Sequence, residues 1–386
     1  MSRSSLWGRR VHIAGSISKD PDVATKDEVD KARELVAGLV KALVKLGANF
    51  VVPVDAEPAR EDGEALTFDW TVWESLDANR HLRPGDAPAK LAVAVQHYKT
   101  EEQIPDSRVE LWDKFKDSDA IAIENAAHWD MNAKRMDAQA RFGDILITLG
   151  GTEGVLYLAD LYHEAGKPVI PLDLPLTPEL KGSRRLHAIG LNSDQTQRLF
   201  RTIEGDSHSW INRIRFASRD PVEKRVSALI DLLEALEPPH AFVVRLLNEK
   251  IEHFAEVEDY FETVVKPVIE GEFGYKLIVI DGEQPFDHAR VDQEIFEKLH
   301  RSRVVLADLT GMRPNCSLEL GYAFGRPIPT MVMGLDGTDL PFDITTYSAH
   351  LWNGSGSAKE RKDAFREHWN AIRNRPPLVT VRSLIA

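Results

Sequence analysis

The feature that most constrains this chain is a repeated alternation of short apolar runs and amphipathic helical stretches. Val11–Ser16, reading VHIAGS, is a buried strand running into the small-residue turn Gly15-Ser16. In Asp27–Leu46 the apolar residues Ala32, Leu35, Val36, Leu39, Val40, Leu43 and Val44 recur at spacings of three and four, which gives a helix with one apolar face. Gly47 closes that helix and Asn49–Val54 is the next strand. A strand–helix–strand unit of this kind requires a parallel sheet, because the helix must cross over between strands that run the same way.

The pattern continues. Residues from about Glu57 to Asp117, rich in Trp, His and Pro, read as helical insertions with loops; Ala120–Glu124 restores a strand. Ile145–Leu149 is a strand, Gly150-Gly151-Thr152-Glu153-Gly154 a glycine-rich turn, Val155–Ala165 a helix and Pro168–Leu172 a strand. Pro221–Leu236 is an amphipathic helix, after which Glu237-Pro238-Pro239 marks a linker, since two prolines cannot continue it. A second alternation then begins: strand Ala241–Leu247, helix Phe254–Glu270, strand Lys276–Ile280, helix Val291–His300, strand Val304–Leu309, helix Ser317–Phe324 and strand Thr330–Met333, with a closing helix over Ala358–Arg373. The expectation is an α/β protein of two Rossmann-like domains with parallel sheets, spanning residues 1–236 and 240–386.

Composition narrows the function classes. A net charge of −13 over 386 residues argues against direct nucleic-acid binding and against anionic membrane surfaces. The single cysteine, Cys316, excludes an internal disulfide framework and a cysteine zinc cluster, and histidines such as His12, His128, His163, His253, His288 and His300 are scattered without metal-ligand spacing. No apolar stretch is long enough to span a bilayer and the first ten residues lack an apolar signal core, so the expectation is a cytoplasmic protein without a metal site or resident cofactor.

Two places carry candidate chemistry. In the first half, Gly15 and Ser16 lie where backbone N–H groups could cradle a phosphate or simply make a tight turn, and the segment Gly150, Gly151, Thr152, Glu153, Gly154 opens a helix after a buried strand, the geometry of an anion site. Lys134 and Arg135, on the preceding helix, are a candidate phosphate clamp. Arg184, Arg185, Arg213 and Arg215 make a locally basic stretch open to three readings: nucleotide contact, subunit contact or solvated surface.

This half resembles the SLOG superfamily, which includes LOG-type nucleotide phosphoribohydrolases, the nucleotide-sensing domain of TRPM channels and sensor domains of bacterial antiviral systems. The resemblance covers about Gly8 to Leu174 and rests on the IAGS turn, on NAKRM (Asn132–Met136) and on LITLGGTEG followed by AGKPVIPL. It departs from the PGGxGTxxE turn of the LOG enzymes: Leu149 stands in the proline position, Glu153 lies within the turn, and Ala159 or Asp160 occupies the later acidic region. The resemblance therefore implies nucleotide binding more than catalysis, with a cyclic or ADP-ribose-type nucleotide as activating ligand.

In the second half, VVLADLTGMRPNCSLELGYAF (Val304–Phe324) places Asp308 at a strand end and Glu319 near the start of the next helix, around the crevice where open α/β sheets bind ligands. This stretch, with FVVRLL at the first strand and LPFDI later, resembles the TIR-like domains of bacterial defence proteins, relatives of the nucleoside deoxyribosyltransferases, over about His240 to Trp352. The resemblance implies cleavage of NAD at the nicotinamide–ribose bond, or exchange or hydrolysis of base–sugar bonds, with Glu319 as catalytic carboxylate, and often a site completed between subunits of a homo-oligomer. An ionised carboxylate stabilises the oxocarbenium-like state of such a cleavage, and a helix start favours the ionised form of Glu319. Asp308 is expected to bind ribose hydroxyls, Asn315 to orient the sugar or the carboxylate, and Arg245 to meet a dinucleotide pyrophosphate. The partners expected are small-molecule nucleotides; the order of the motifs suggests a signal nucleotide bound by the first domain and a reaction run by the second.

Overall fold

The computed structural model describes residues 4–88, 90–96, 100–125, 131–280, 291–311, 314–326, 328–340, 344, 347–373 and 375. They form two compact units that part between Glu237 and Pro238.

In the first unit the main elements are β1 (Arg10–Ser16), α1 (Lys26–Lys45), β2 (Asn49–Pro53), α2 (Asp69–Asn79), β3 (Ala92–Gln96), α3 (Asp106–Lys116), β4 (Ile121–Asn125), α4 (Met131–Phe142), β5 (Ile145–Gly150), α5 (Glu153–Glu164), β6 (Val169–Leu172), α6 (Gly182–Gly190) and α7 (Val222–Ala235). The six strands are all parallel, in the order β4-β3-β2-β1-β5-β6. Central strands with helices on both faces lose both sides to the core, and β2 and β5 are accordingly buried at every residue. The helix α1 starts in a capping box, with the Thr25 hydroxyl accepting from the Glu28 backbone N–H and the Glu28 carboxylate accepting in return, worth about 0.5–2 kcal/mol. Its stripe of Val29, Ala32, Leu35, Val36, Leu39, Val40, Leu43 and Val44 is buried, each larger member contributing about 1.5–3 kcal/mol.

The strand β3 corrects the sequence expectation for residues 57–117, which reads them as helices and loops. AVAV is short and half alanine, a weak strand signal by itself; its place in the sheet comes from pairing with β2 on one side and β4 on the other.

The second unit comprises β7 (His240–Val244), α8 (Phe254–Tyr260, continued through a wide turn at Phe261–Val265 and a last helical turn to Ile269), β8 (Lys276–Ile278), α9 (Val291–Arg301), β9 (Val304–Asp308), α10 (Pro314–Gly325), β10 (Thr330–Leu335), β11 (His350–Trp352) and α11 (Ala358–Ile372). Its five strands are also all parallel, in the order β11-β10-β9-β7-β8. Taken in chain order that is the 2-1-3-4-5 arrangement of doubly wound folds, in which the chain reverses its direction of sheet growth between the first and third strands. Both units are thus Rossmann-like α/β layers. Among the described residues no helix is long and apolar enough to cross a membrane.

Candidate functional site

A doubly wound sheet offers a crevice at its switch point, where the helices after two neighbouring strands leave toward opposite faces. Each unit has one. In the first it lies between the carboxyl ends of β1 and β5, and the register sets Ser16 beside Gly150. The Gly151 N–H donates to the Ser16 carbonyl at 2.7 Å, so the two glycine turns singled out in the sequence meet at one place. Gly150 and Gly151 have φ of 58° and 72°, a left-handed stretch that side chains disfavour. Gly15 has a different role: a Cβ there would lie 1.8 Å from the Leu149 carbonyl oxygen, so it permits the close approach of the strands.

Helix α5 begins at Glu153, two residues earlier than its apolar pattern suggests, and Thr152, Glu153 and Gly154 are exposed at its start. The N-cap Thr152 makes no side-chain cap hydrogen bond. Helix α4 packs beside it, with the Met136 methyl 3.4 Å from where a Cβ on Gly154 would sit. Lys134 and Arg135 diverge. Lys134 pairs with Asp137 on its own helix at 3.6 Å, both well exposed, whereas Arg135 reaches Asp55 just past β2 and keeps only 16% of its side-chain surface.

The structure adds a residue that the sequence reading leaves out. Asp69, first residue of α2, stands next to this ion pair. Burial pushes its carboxyl up to about 7, and the charges of Asp55 and Glu57 push the same way, against the Arg135 guanidinium and the Thr67 hydroxyl. Thr67 bridges to Ser16, which ties Asp69 to the tip of β1. A lone Asp ahead of a helical run reads as a terminus signal; its perturbation is a product of tertiary crowding.

In the second unit the switch point lies between β7 and β9. Arg245 follows β7 directly; its guanidinium donates to Glu258 at 2.6 Å and lies 4.8 Å from the centre of the Phe261 ring. Asp308 ends β9 at 1% exposure, with one carboxylate oxygen accepting from the Thr310 N–H at 3.0 Å and the other from the Trp352 indole N–H at 2.7 Å. Burial raises the Asp308 carboxyl, while these donors and the nearby Arg245 charge lower it.

Glu319 sits in the second turn of α10, not its first, and is half-buried. The helix-dipole effect fades beyond the first turn, and desolvation prevails: the Glu319 carboxyl is pushed up to about 7. This corrects the expectation that the helix start favours its ionised form. Cys316 is half-buried against the apolar core of this face, and the Asn315 side chain lies outside the described residues. Leu318, beside Glu319 in sequence, is 63% exposed. Among the described residues no three His, Cys, Asp or Glu side chains gather as metal ligands.

Each unit therefore has a strand-end switch point and a carboxyl poised near neutrality on a neighbouring helix, Asp69 on α2 beside the tip of β1 in the first unit and Glu319 on α10 after β9 in the second. A group of that kind can be ionised or protonated at small cost at neutral pH, which suits acid–base or charge-stabilising work.

Comparison with known proteins bears on the first unit. Residues 6–233 match the family described as "ATP nucleosidase Cap17-like, N-terminal". Two curated relatives, both "ATP nucleosidase Cap17", one from Escherichia coli (strain KTE188) and one from Escherichia coli, are each 30% identical over 187 residues, covering 46% of this chain and 35% of the relative. The chain thus spans about a third of the length of these relatives. No solved structure matches. Because the family match takes in more than half of its residues, the chain belongs to the Cap17-like N-terminal family.

Proposed function

We propose that the chain is a nucleotide-processing protein of bacterial defence, in which the first unit binds a signal nucleotide over Ser16 and Gly150–Thr152 and the second breaks an N-glycosidic bond with Glu319. What supports this reading is that Asp308 and Arg245 stand at the ends of the two strands of one switch point, Asp308 within reach of the Arg245 charge, and that Glu319, on the helix after β9, is desolvated enough to titrate near 7. The nucleosidase named in the relatives is the same class of chemistry, base–sugar cleavage.

The substrate we favour for the second unit is NAD. Its nicotinamide is already a cationic leaving group: the bond from ribose C1′ to the pyridinium nitrogen breaks, both electrons go to nitrogen, and neutral nicotinamide departs without needing a proton. The ribose cation left behind is stabilised by the Glu319 carboxylate, and water adds to give ADP-ribose and a proton. Adenine would need protonation first, hence a second acid. Asp308 is badly placed for that role, since both its oxygens accept hydrogen bonds inside the protein. A carboxyl whose charged form is disfavoured by burial also gains most from a cationic neighbour, which supports a pyridinium substrate.

A second reading puts catalysis in the first unit, on an ATP-like nucleotide. Asp69 favours it, because it is a near-neutral carboxyl within the part that matches the family. The two readings separate in one experiment: the full chain, Glu319→Gln and Asp69→Asn are each incubated with NAD and with ATP. Nicotinamide release lost only in Glu319→Gln supports the first; adenine release lost only in Asp69→Asn replaces it.

A further inference from the structure

We propose that Trp352 is a positioning residue for the second unit's site: its indole N–H clamps Asp308 and thereby fixes residues 308–310 at the end of β9, the strand that precedes the Glu319 helix. The inference rests on the reading of Glu319 as the reacting carboxyl.

The clamp reaches across the sheet. Trp352 ends β11 and Asp308 ends β9, and β10 lies between them, so the 2.7 Å hydrogen bond closes over the end of a whole intervening strand. Neighbouring parallel strands stand about 4.8 Å apart, so two side chains must span roughly twice that distance. The long indole supplies much of the reach, and its nitrogen can act only as a donor, which suits a carboxylate.

Both ends of the clamp are held. The Trp352 ring stacks on Tyr260 with centroids 4.3 Å apart and planes 8° from parallel, and the Tyr260 hydroxyl lies 2.9 Å from His350 Nε2. The Trp352 carbonyl accepts from the Asp336 N–H at 2.7 Å. At the other end, the second Asp308 oxygen accepts from the Thr310 N–H, the Thr310 hydroxyl accepts from the Leu335 N–H at 2.8 Å, and the Leu309 N–H donates to the Met333 carbonyl at 2.8 Å. Residues 308–310 are therefore pinned to β10 and β11 together. Trp352 and Asp308 are 4% and 1% exposed, so water cannot easily replace the indole N–H if it is removed, and a buried carboxylate short of a donor moves or protonates. Asp308 accordingly acts as a brace, and the loop it braces starts the path to Glu319.

The test uses the full chain, Trp352→Phe, which keeps an aromatic ring on Tyr260 and deletes the donor, Asp308→Asn, and the double variant. Amide hydrogen exchange of Leu309–Gly311 reads the brace without reference to activity. Exchange about tenfold faster in each single variant, and no faster in the double than in the faster single, is expected. Nicotinamide release from NAD is measured in parallel at a temperature where circular dichroism shows each variant fully folded; kcat falls about tenfold or more while KM stays within about threefold, and with the folded fraction matched a smaller amount of active enzyme does not produce that fall. Wild-type exchange in both single variants, or strictly additive effects in the double, overturns the inference. NAD cleavage that survives Glu319→Gln overturns the N-glycosidase reading instead, and the exchange result still decides the brace.

Discussion

Arg135 gives its guanidinium to Asp55, joining helix α4 to the mouth of β2, and Asp69 crowds the same pair. One cation thus offsets the charge of more than one carboxylate at the edge of the first crevice. Replacing Arg135 by Ala leaves Asp55, Glu57 and Asp69 without it. Because Arg135 and Asp55 keep 16% and 26% of their side-chain surface, the expected loss is about 1–3 kcal/mol, below the 3–5 typical of breaking a fully buried pair. Thermal unfolding at pH 8 shows it, and the loss shrinks toward pH 5 as Asp69 takes up a proton. Lys134→Ala, on the solvated face, changes stability by less than about 0.5 kcal/mol.

Asp69 makes the pH dependence explicit. Its carboxyl titrates at 3.8 in an ordinary environment and at about 7 when folded, so between those values the folded chain holds a proton that the unfolded chain has released. Stability is therefore lost as pH rises through this window. Asp69→Asn removes the loss: its Tm is expected to exceed that of the wild type at pH 8 and to match it below about pH 4. An Asp69→Asn curve parallel to the wild type at every pH would contradict the placement of this carboxyl.

The glycines divide by what surrounds them. Gly15→Ala drives a methyl into the Leu149 carbonyl, and Gly182→Ala drives one to within 2.1 Å of the Gly151 carbonyl oxygen, so both are expected to unfold the first unit or cost upwards of about 3 kcal/mol. Gly154→Ala meets only the flexible end of Met136 at 3.4 Å and gains helix propensity, by up to about 1 kcal/mol. Calorimetry is expected to find it as stable as wild type or more so. If a nucleotide lies on the α5 N-terminus, Gly154→Ala weakens binding of ADP-ribose in isothermal titration without that loss of stability.

These contrasts also show what a linear reading captures. The glycine turns at Ser16 and Gly150 are legible because a strand, a small-residue turn and a helix follow one another locally, and parallel pairing then forces the two tips together. The strand β3 is not, since Ala-Val-Ala-Val carries little propensity and is recruited by neighbours on both sides. Lys134 and Arg135 look equivalent in sequence, yet a rotation of about 100° along the helix sends one to solvent and the other to Asp55. The protonation preferences of Asp69 and Glu319 come from burial, which spacing alone does not encode. For Glu319 the helix dipole favours the ionised form and burial the neutral one, and burial prevails because the residue sits one turn too far along α10.

Glu319 predicts its own pH profile. The carboxylate is the form that stabilises a ribose cation, so kcat/KM for NAD is expected to be low at pH 6, to rise with a midpoint near 7 and to level off above pH 8. Holding the charge in a half-buried site costs stability over the same range, between 4.5 and about 7, so Glu319→Gln is expected to raise Tm by a few degrees at pH 8 and not at pH 4.5. A stabilised but inactive variant is the signature of a residue kept for chemistry rather than for folding.

The central claim is that Glu319 cleaves a base–sugar bond, and the most direct test is quantitative chromatography of NAD after incubation with the full chain and with Glu319→Gln, each with and without added ADP-ribose-type and cyclic nucleotides. Equimolar nicotinamide and ADP-ribose from the wild type, reduced at least about a thousandfold in Glu319→Gln while that variant still binds the added nucleotide, is the predicted result. Undiminished nicotinamide release by Glu319→Gln, or no release by the wild type under any of these conditions while adenine is freed from ATP, would contradict the account.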